Sequence, residues 1–344
     1  MSTDSVSSSI AQIRGIVGRR GFLAAVVMCS ALLAAVATPQ LMGRRVAAAL
    51  ETLGTANPSW LWLAAVGFVV SVVAASASWR SAMTVCGGRL TLMDACARYG
   101  AGSLANTFAP LRAGEAVRIA LFSRVLPNPE RLRTTGGAFA ALAAGRAVAG
   151  GGLVIGGAAA GAVPLWPLLI AGGMLAVGTA IAILSKKTHT HLLDAFRAFA
   201  EEPRAGGRLV ALLSLQLAGR LAAATAIAAA LGIRNPVAAA VIVILALDVA
   251  SALPLTPGGI GVTQGAIALA LHAQGTPYGS ALAAGIAFHA TETAVGLMFG
   301  VASIVWLAPY PSPGARRIAL LAGAASWVLG MAGAFSATVL VPLV

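Results

Sequence analysis

Acidic side chains are scarce in this sequence. Only 10 of its 344 residues are Asp or Glu, and only 10% carry any charge. Soluble domains have about 25% charged residues, so this chain cannot coat a soluble surface of its size. Cysteine and histidine are rarer still, at 3 and 4 residues. Cys29, Cys86 and Cys96 form no CxxC pair, which argues against a disulfide framework and against a thiolate metal centre. They read as small hydrophobes. His189 and His191 lie in a THTH stretch without a third ligand, so neither a metal nor a cofactor is expected. Long polar stretches are missing too. The longest, 186–208, is too short to build a core, so no soluble domain is expected.

Hydrophobic residues make up 59% of the chain, and there are 40 glycines. That composition suits helices packed closely in lipid. Spanning a bilayer takes about 20 apolar residues. Runs of this kind lie at 21–41, 60–79, 134–161, 164–185, 209–231, 237–256, 279–308 and 318–344. Two further segments, 92–124 and 257–274, are apolar but interrupted by glycine and polar residues. The expected fold class is all-α: a polytopic membrane helix bundle of about eight spans plus two re-entrant or broken helices, with a possible inverted repeat. Residues 1–20 read as a cytoplasmic N-terminal segment and 21–344 as a single integral membrane domain. The GRRGFL run at 18–23 resembles a twin-arginine export signal, with AVATPQ as a cleavable end. The many spans that follow favour an uncleaved first helix.

The 23 Lys and Arg leave a net charge of +13. These residues sit in short loops between apolar runs, the pattern of the positive-inside rule, and no nucleic-acid partner is expected. Anionic lipid headgroups are the expected partners. Placing Arg14, Arg19, Arg20, the 186–208 loop, Arg316 and Arg317 in the cytoplasm satisfies the rule. The stretch 80–133 then begins and ends on the cytoplasmic face. Its apolar part must enter the membrane and return. The segment 257–274 is short for a span and is expected to be a broken or half-depth helix.

The two interrupted segments share a pattern. One reads Pro110-Leu111-Arg112-Ala113-Gly114-Glu115 and the other Pro254-Leu255-Thr256-Pro257-Gly258-Gly259. Interrupted helices at matching places in two halves of a chain point to a transporter-type site. On a helix, Arg112, Glu115 and Arg118 are spaced i, i+3, i+6 and lie near one face. Glu115 can pair with either arginine, leaving one guanidinium for a phosphate. The run Thr256, Pro257, Gly258, Gly259, Ile260, Gly261 cannot hold a regular helix. A helix starting after it, through Gln264, would aim unpaired N–H groups back at the glycines, as an anion site requires. A ligand-free turn and a purely structural ion-pair cluster are the alternatives.

These residues carry a family resemblance. NTFAPLRAGEAVRIALFSR at 106–124 and LPLTPGGIGVTQGAIALAL at 253–271 resemble the two signature regions of the lysylphosphatidylglycerol synthase transmembrane-region family, a flippase-like integral membrane domain. The matching positions are Arg112, Gly114, Glu115 and Arg118, then Thr256, Pro257, Gly258, Gly259 and Gly261. Two features depart from the family's pattern. Gln264 stands where family members often have an acidic residue, and Gly145-Arg146 stands where they often have Glu-Arg followed by Asp. Long family members carry a soluble aminoacyltransferase domain. None is seen here, so lipid aminoacylation is not expected.

Arg146, Arg220, Asp248 and Glu292 lie inside apolar runs, with His289 one turn from Glu292. A lone charge at the bilayer centre costs about 2.5–3.5 kcal/mol, so each should face protein or water. Arg146 could pair with Asp248 or Glu292, and Asn106 could line the same cavity. The expected function is translocation of an anionic, phosphate-bearing lipid in the bacterial plasma membrane. Arg112 and Arg118 would bind it, Glu115 would orient them, and the glycine turn would donate backbone N–H groups. A membrane enzyme acting on a lipid or polyprenyl phosphate, and a non-transporting scaffold for envelope biosynthesis, are the alternatives. The first lacks a DxxD-type metal pair.

Overall fold

The computed structural model describes residues 43–108, 113–127, 129–159, 161, 203–251, 259, 261–308 and parts of 314–332. The expected spans 21–41 and 164–185 lie outside the described residues, as do most of 318–344, Arg112, Thr256, Pro257 and Gly258. Among the described residues the structure is helical without strands. The elements are α1 (Gly43–Gly54), α2 (Pro58–Val85), α3 (Leu92–Phe108), α4 (Ala113–Ser123) and α5 (Arg131–Ala159). They continue with α6 (Pro203–Ala230), α7 (Pro236–Ser251), α8 (Val262–Ala273) and α9 (Tyr278–Leu307).

Of these, α2, α5, α6 and α9 are long and apolar enough to cross a membrane. The chain is therefore a polytopic helical membrane protein. Of the apolar run 237–256, the described part is helical through Ser251, about 24 Å of helix from Pro236, and 252–256 lie outside the described residues. Apolar composition continues past that point into Pro254 and Pro257. Each proline lacks an N–H donor and disfavours helix in the residue before it. The α1 segment had no counterpart among the expected spans, because its RR and ET residues break the apolar run.

Local signals set the helix starts. Asn57 caps α2 by accepting from Ser59 N–H at 3.0 Å, and Pro58 occupies the first turn, where a missing donor costs nothing. Thr91 and Asp94 cap α3 reciprocally. Asp94 Oδ2 accepts from Thr91 N–H at 3.3 Å, and Asp94 N–H donates to Thr91 Oγ1 at 3.1 Å.

The spans touch through small residues. Gly67 of α2 and Gly219 of α6 face each other so closely that a Cβ on either would lie 2.8 Å from the other's carbonyl oxygen. Lipid supplies no hydrophobic drive between helices, so close backbone approach and dispersion must hold this pair. A core of Phe68, Ile227, Ile244, Ile267, Leu271 and Phe288 joins α2, α6, α7, α8 and α9 at one end of the bundle. Trp79, Met83, Tyr99, Phe122, Leu142 and Leu209 form a second core, which joins α2, α3, α4, α5 and α6 at the other. Trp79 stacks on Phe122 with 4.6 Å between ring centroids.

The second end is strongly basic. Arg80, Arg89, Arg98, Arg124, Arg131, Arg133, Arg204 and Arg208 belong to the helix ends and turns gathered there. At the opposite end, the turn between α6 and α7 carries Arg234.

Candidate functional site

Two hairpins enter the bundle from opposite ends. The first, α3 and α4, starts and finishes at the basic end. The second, α7 and α8, starts and finishes at the other. There Asn57 N–H bonds the Ala230 carbonyl, and His272 packs edge-on against Tyr278.

The first hairpin is sealed by glycine and arginine. Gly102 and Gly114 face each other, and a Cβ on Gly102 would meet Gly114 O at 2.8 Å. Asn106 Oδ1 accepts from Gly114 N–H at 2.7 Å and so caps α4 across the hairpin. Arg118 is buried, at 5% exposure. Its Nη1 donates to Glu115 Oε1 at 2.8 Å, Nη2 to Ser103 Oγ at 2.9 Å, and Nε to the Tyr99 carbonyl at 3.4 Å. Its guanidinium carbon lies 3.9 Å from the Tyr99 ring centroid, a cation–π contact. Arg118 thus faces the inside of its own hairpin. Glu115 Oε2 is buried with no hydrogen-bond partner among the described residues, an acceptor at the hairpin tip.

The second hairpin breaks in glycine. Gly259 and Gly261 have φ of +73° and +86°, conformations that a Cβ makes costly. At Gly259 a Cβ would also lie 2.8 Å from Thr263 Oγ1. Gln264 Oε1 accepts from Gly261 N–H at 2.6 Å, so Gln264 caps α8 from within its first turn. One of the N–H groups expected to face a ligand is therefore occupied by the chain itself.

Both hairpins pack on α9 at different heights. Asp94 of α3 accepts from Trp306 Nε1 at 3.0 Å, Gly100 lies against Phe299 and Ser303, and Leu104 lies against Gly300. Gln264 of α8 lies against Gly285. Both helices therefore run antiparallel to α9. α3 ends as it approaches the middle of α9 from the basic end, and α8 begins near that middle and leaves for the other. Gly285 and Gly300 are separated by about 22 Å of helix rise, and His289, Glu292 and Gly296 fall between them. The carboxyl end of α3 and the amino end of α8 thus face each other along α9, across the level of Glu292.

Charges from other helices converge on this level. Arg220 of α6 lies 3.8 Å from Asp248 of α7 and 3.9 Å from Glu292 of α9. Asp248 is near the broken end of the second hairpin, 3.7 Å from a Cβ placed on Gly150 of α5. Arg146, one turn from Gly150, is a pairing candidate for Asp248 or Glu292 by sequence; Arg220 makes both contacts. Arg146 Nε, Gln216 Oε1 and Arg220 Nε are buried with no hydrogen-bond partner among the described residues. Orphaned polar atoms inside a span call for water or a ligand. Sequence reasoning missed Tyr99, Ser103 and Gln216. Only the i−4 relation of Gln216 to Arg220 was a usable signal, since the other contacts form across a hairpin.

The family model described as Lysylphosphatidylglycerol synthase TM region matches residues 21–300. No curated protein and no solved structure matches the chain.

Proposed function

As the chain belongs to the lysylphosphatidylglycerol synthase transmembrane-region family, we propose that it translocates an anionic, phosphate-bearing lipid across the bacterial plasma membrane. The observation that carries the reading is that α3 ends and α8 begins along α9 on either side of the level of the Arg220–Asp248–Glu292 cluster. Broken helices expose unpaired backbone groups at mid-membrane, where only a ligand, water or packed protein can satisfy them. The amino end of α8 favours a negative group.

Each site residue then has a role. Arg112 is the guanidinium offered to the headgroup, and the unused oxygen of Glu115 orients it. Arg118, held by Tyr99, Ser103 and Glu115, is a positioning residue that keeps the hairpin closed. Thr256, Pro257 and Gly258 complete the turn with Gly259 and Gly261, and Gln264 stiffens it. Asn106 holds the tip of the first hairpin. Arg146, Asp248, His289 and Glu292 line the passage through which the headgroup moves. The basic end faces the cytoplasm, as the positive-inside rule requires, with the N-terminus on the same side.

The test is translocation of fluorescent phosphatidylglycerol in proteoliposomes, read by dithionite quenching of the outer leaflet. The wild-type chain should move the lipid. Arg112→Ala and Glu292→Gln should each slow it at least tenfold while the protein keeps its melting temperature, the loss of about 1.4 kcal/mol of transition-state stabilisation. Unchanged rates in both variants would refute the reading. Metal-dependent turnover of the labelled lipid would favour an enzyme, and intact envelope function in motif variants would favour a scaffold.

A further inference from the structure

A separate basic cleft lies between α2 and α6, away from the hairpin tips. The two helices touch at Gly67 and Gly219 and still share a core of Trp79, Met83, Leu209 and Leu213 toward the basic end. About 18 Å beyond that contact, by helix rise, they enclose a cavity of 580 Å3 that reaches the start of α3. Arg80 reaches it from α2, and Arg204 and Arg208, one turn apart, reach it from α6. Among the described residues no carboxylate lines it and none pairs with these three arginines. Deeper in, the walls are Ala77 and Leu212, while Ser81, Thr84 and Val85 lie level with the arginines or nearer the basic end. Arg80 Nε donates to the Leu90 carbonyl at 3.1 Å, which fixes the plane of its guanidinium.

Three like charges around one space repel one another unless an anion lies among them. Guanidinium forks match phosphate oxygens in particular. The first turns of α6 add the positive end of a helix dipole on the same side. The apolar walls run toward the bilayer core, where a soluble anion has nothing to gain and an acyl chain does. The volume is that of a small-molecule site. We propose that this cleft is a seat for the phosphate headgroup of an anionic membrane lipid, with the start of an acyl chain lying between α2 and α6. The proposal is independent of the transport reading. It concerns a lipid held at the membrane edge, beside the packed ends of α2 and α6.

The test uses the full chain in mixed vesicles with spin-labelled phosphatidylglycerol or phosphatidylcholine, and reads the motionally restricted fraction of each. The wild type should restrict phosphatidylglycerol several-fold more than phosphatidylcholine. The triple variant Arg80→Gln, Arg204→Gln, Arg208→Gln should bring that preference to parity. Its far-ultraviolet circular dichroism should match wild type, because all three side chains are exposed. Arg234→Gln, which removes one arginine from the opposite end of the bundle, should keep the preference. A preference unchanged in the triple variant, or abolished by Arg234→Gln alone, would overturn the proposal. So would a cleft that reads only free phosphate: a thermal shift with inorganic phosphate, lost in the triple variant, with no preference between the lipids.

Discussion

At the scale of single residues, Arg118 shows how charge is kept inside a membrane protein. Its guanidinium is out of solvent, yet a carboxylate, a hydroxyl, a carbonyl and an aromatic face all receive it. Removing one member of a buried pair strands the other, at a cost of about 3–5 kcal/mol. Arg118→Ala should therefore lower the melting temperature in detergent sharply. Adding Glu115→Gln to that variant should recover part of the loss, giving a double-mutant cycle with clear coupling. Equal losses that simply add would mean that the pair is not a unit. Gly114 faces a different limit. A side chain there has no room against Gly102 and Asn106, so Gly114→Val should destabilise the protein by about 1–3 kcal/mol or more through overpacking. Thermal unfolding of the purified protein checks this.

At the scale of elements, α3 is anchored at its first turn. Asp94 caps the helix through Thr91 and reaches Trp306 at the end of α9. Partial burial pushes its carboxyl upward, but the hydrogen bonds from Trp306 and Thr91 and the charge of Arg98 outweigh that and hold it below its ordinary value. A lowered folded-state value means that the stabilisation is complete above the ordinary carboxylate range. It fades as pH falls through the lowered value. Asp94→Asn should be less stable than wild type near neutral pH, and the gap should close in acid. A gap that stays constant with pH would show that the charge is not what matters there. The two hairpins also carry different lessons about legibility. The first was readable as an element that enters and returns, because charge placement forced both ends to one side. Its internal seal was not readable, since Tyr99 and Ser103 meet Arg118 only after the chain has doubled back. In the second, the glycines of the run announced the break, which the positive φ of Gly259 and Gly261 shows, but the bond from Gly261 N–H to Gln264 Oε1 depends on a side-chain conformation that composition does not specify.

At the scale of the whole molecule, the distribution of arginine predicts orientation. Cysteines placed at Arg89 or Arg131, in turns at the basic end, should react with a membrane-impermeant maleimide only in inside-out vesicles. One placed at Arg234 should react only in right-side-out cells. The reverse pattern would invert the proposed topology and, with it, the side from which lipid enters each hairpin.

Composition and charge spacing were enough to establish a helical membrane protein, its interrupted segments and the family it resembles. These depend on local rules: how many apolar residues cross a bilayer, where proline and glycine stop a helix, and which loops carry arginine. Tertiary structure alone decided that the ends of α3 and α8 line up along α9, that Arg220 rather than Arg146 reaches Asp248 and Glu292, and that α2 and α6 bring three arginines to one cleft. Each of these depends on which helix faces lie together. In lipid that is settled by close packing of small residues and by the need of every buried charge for a partner, and neither is written in any one segment.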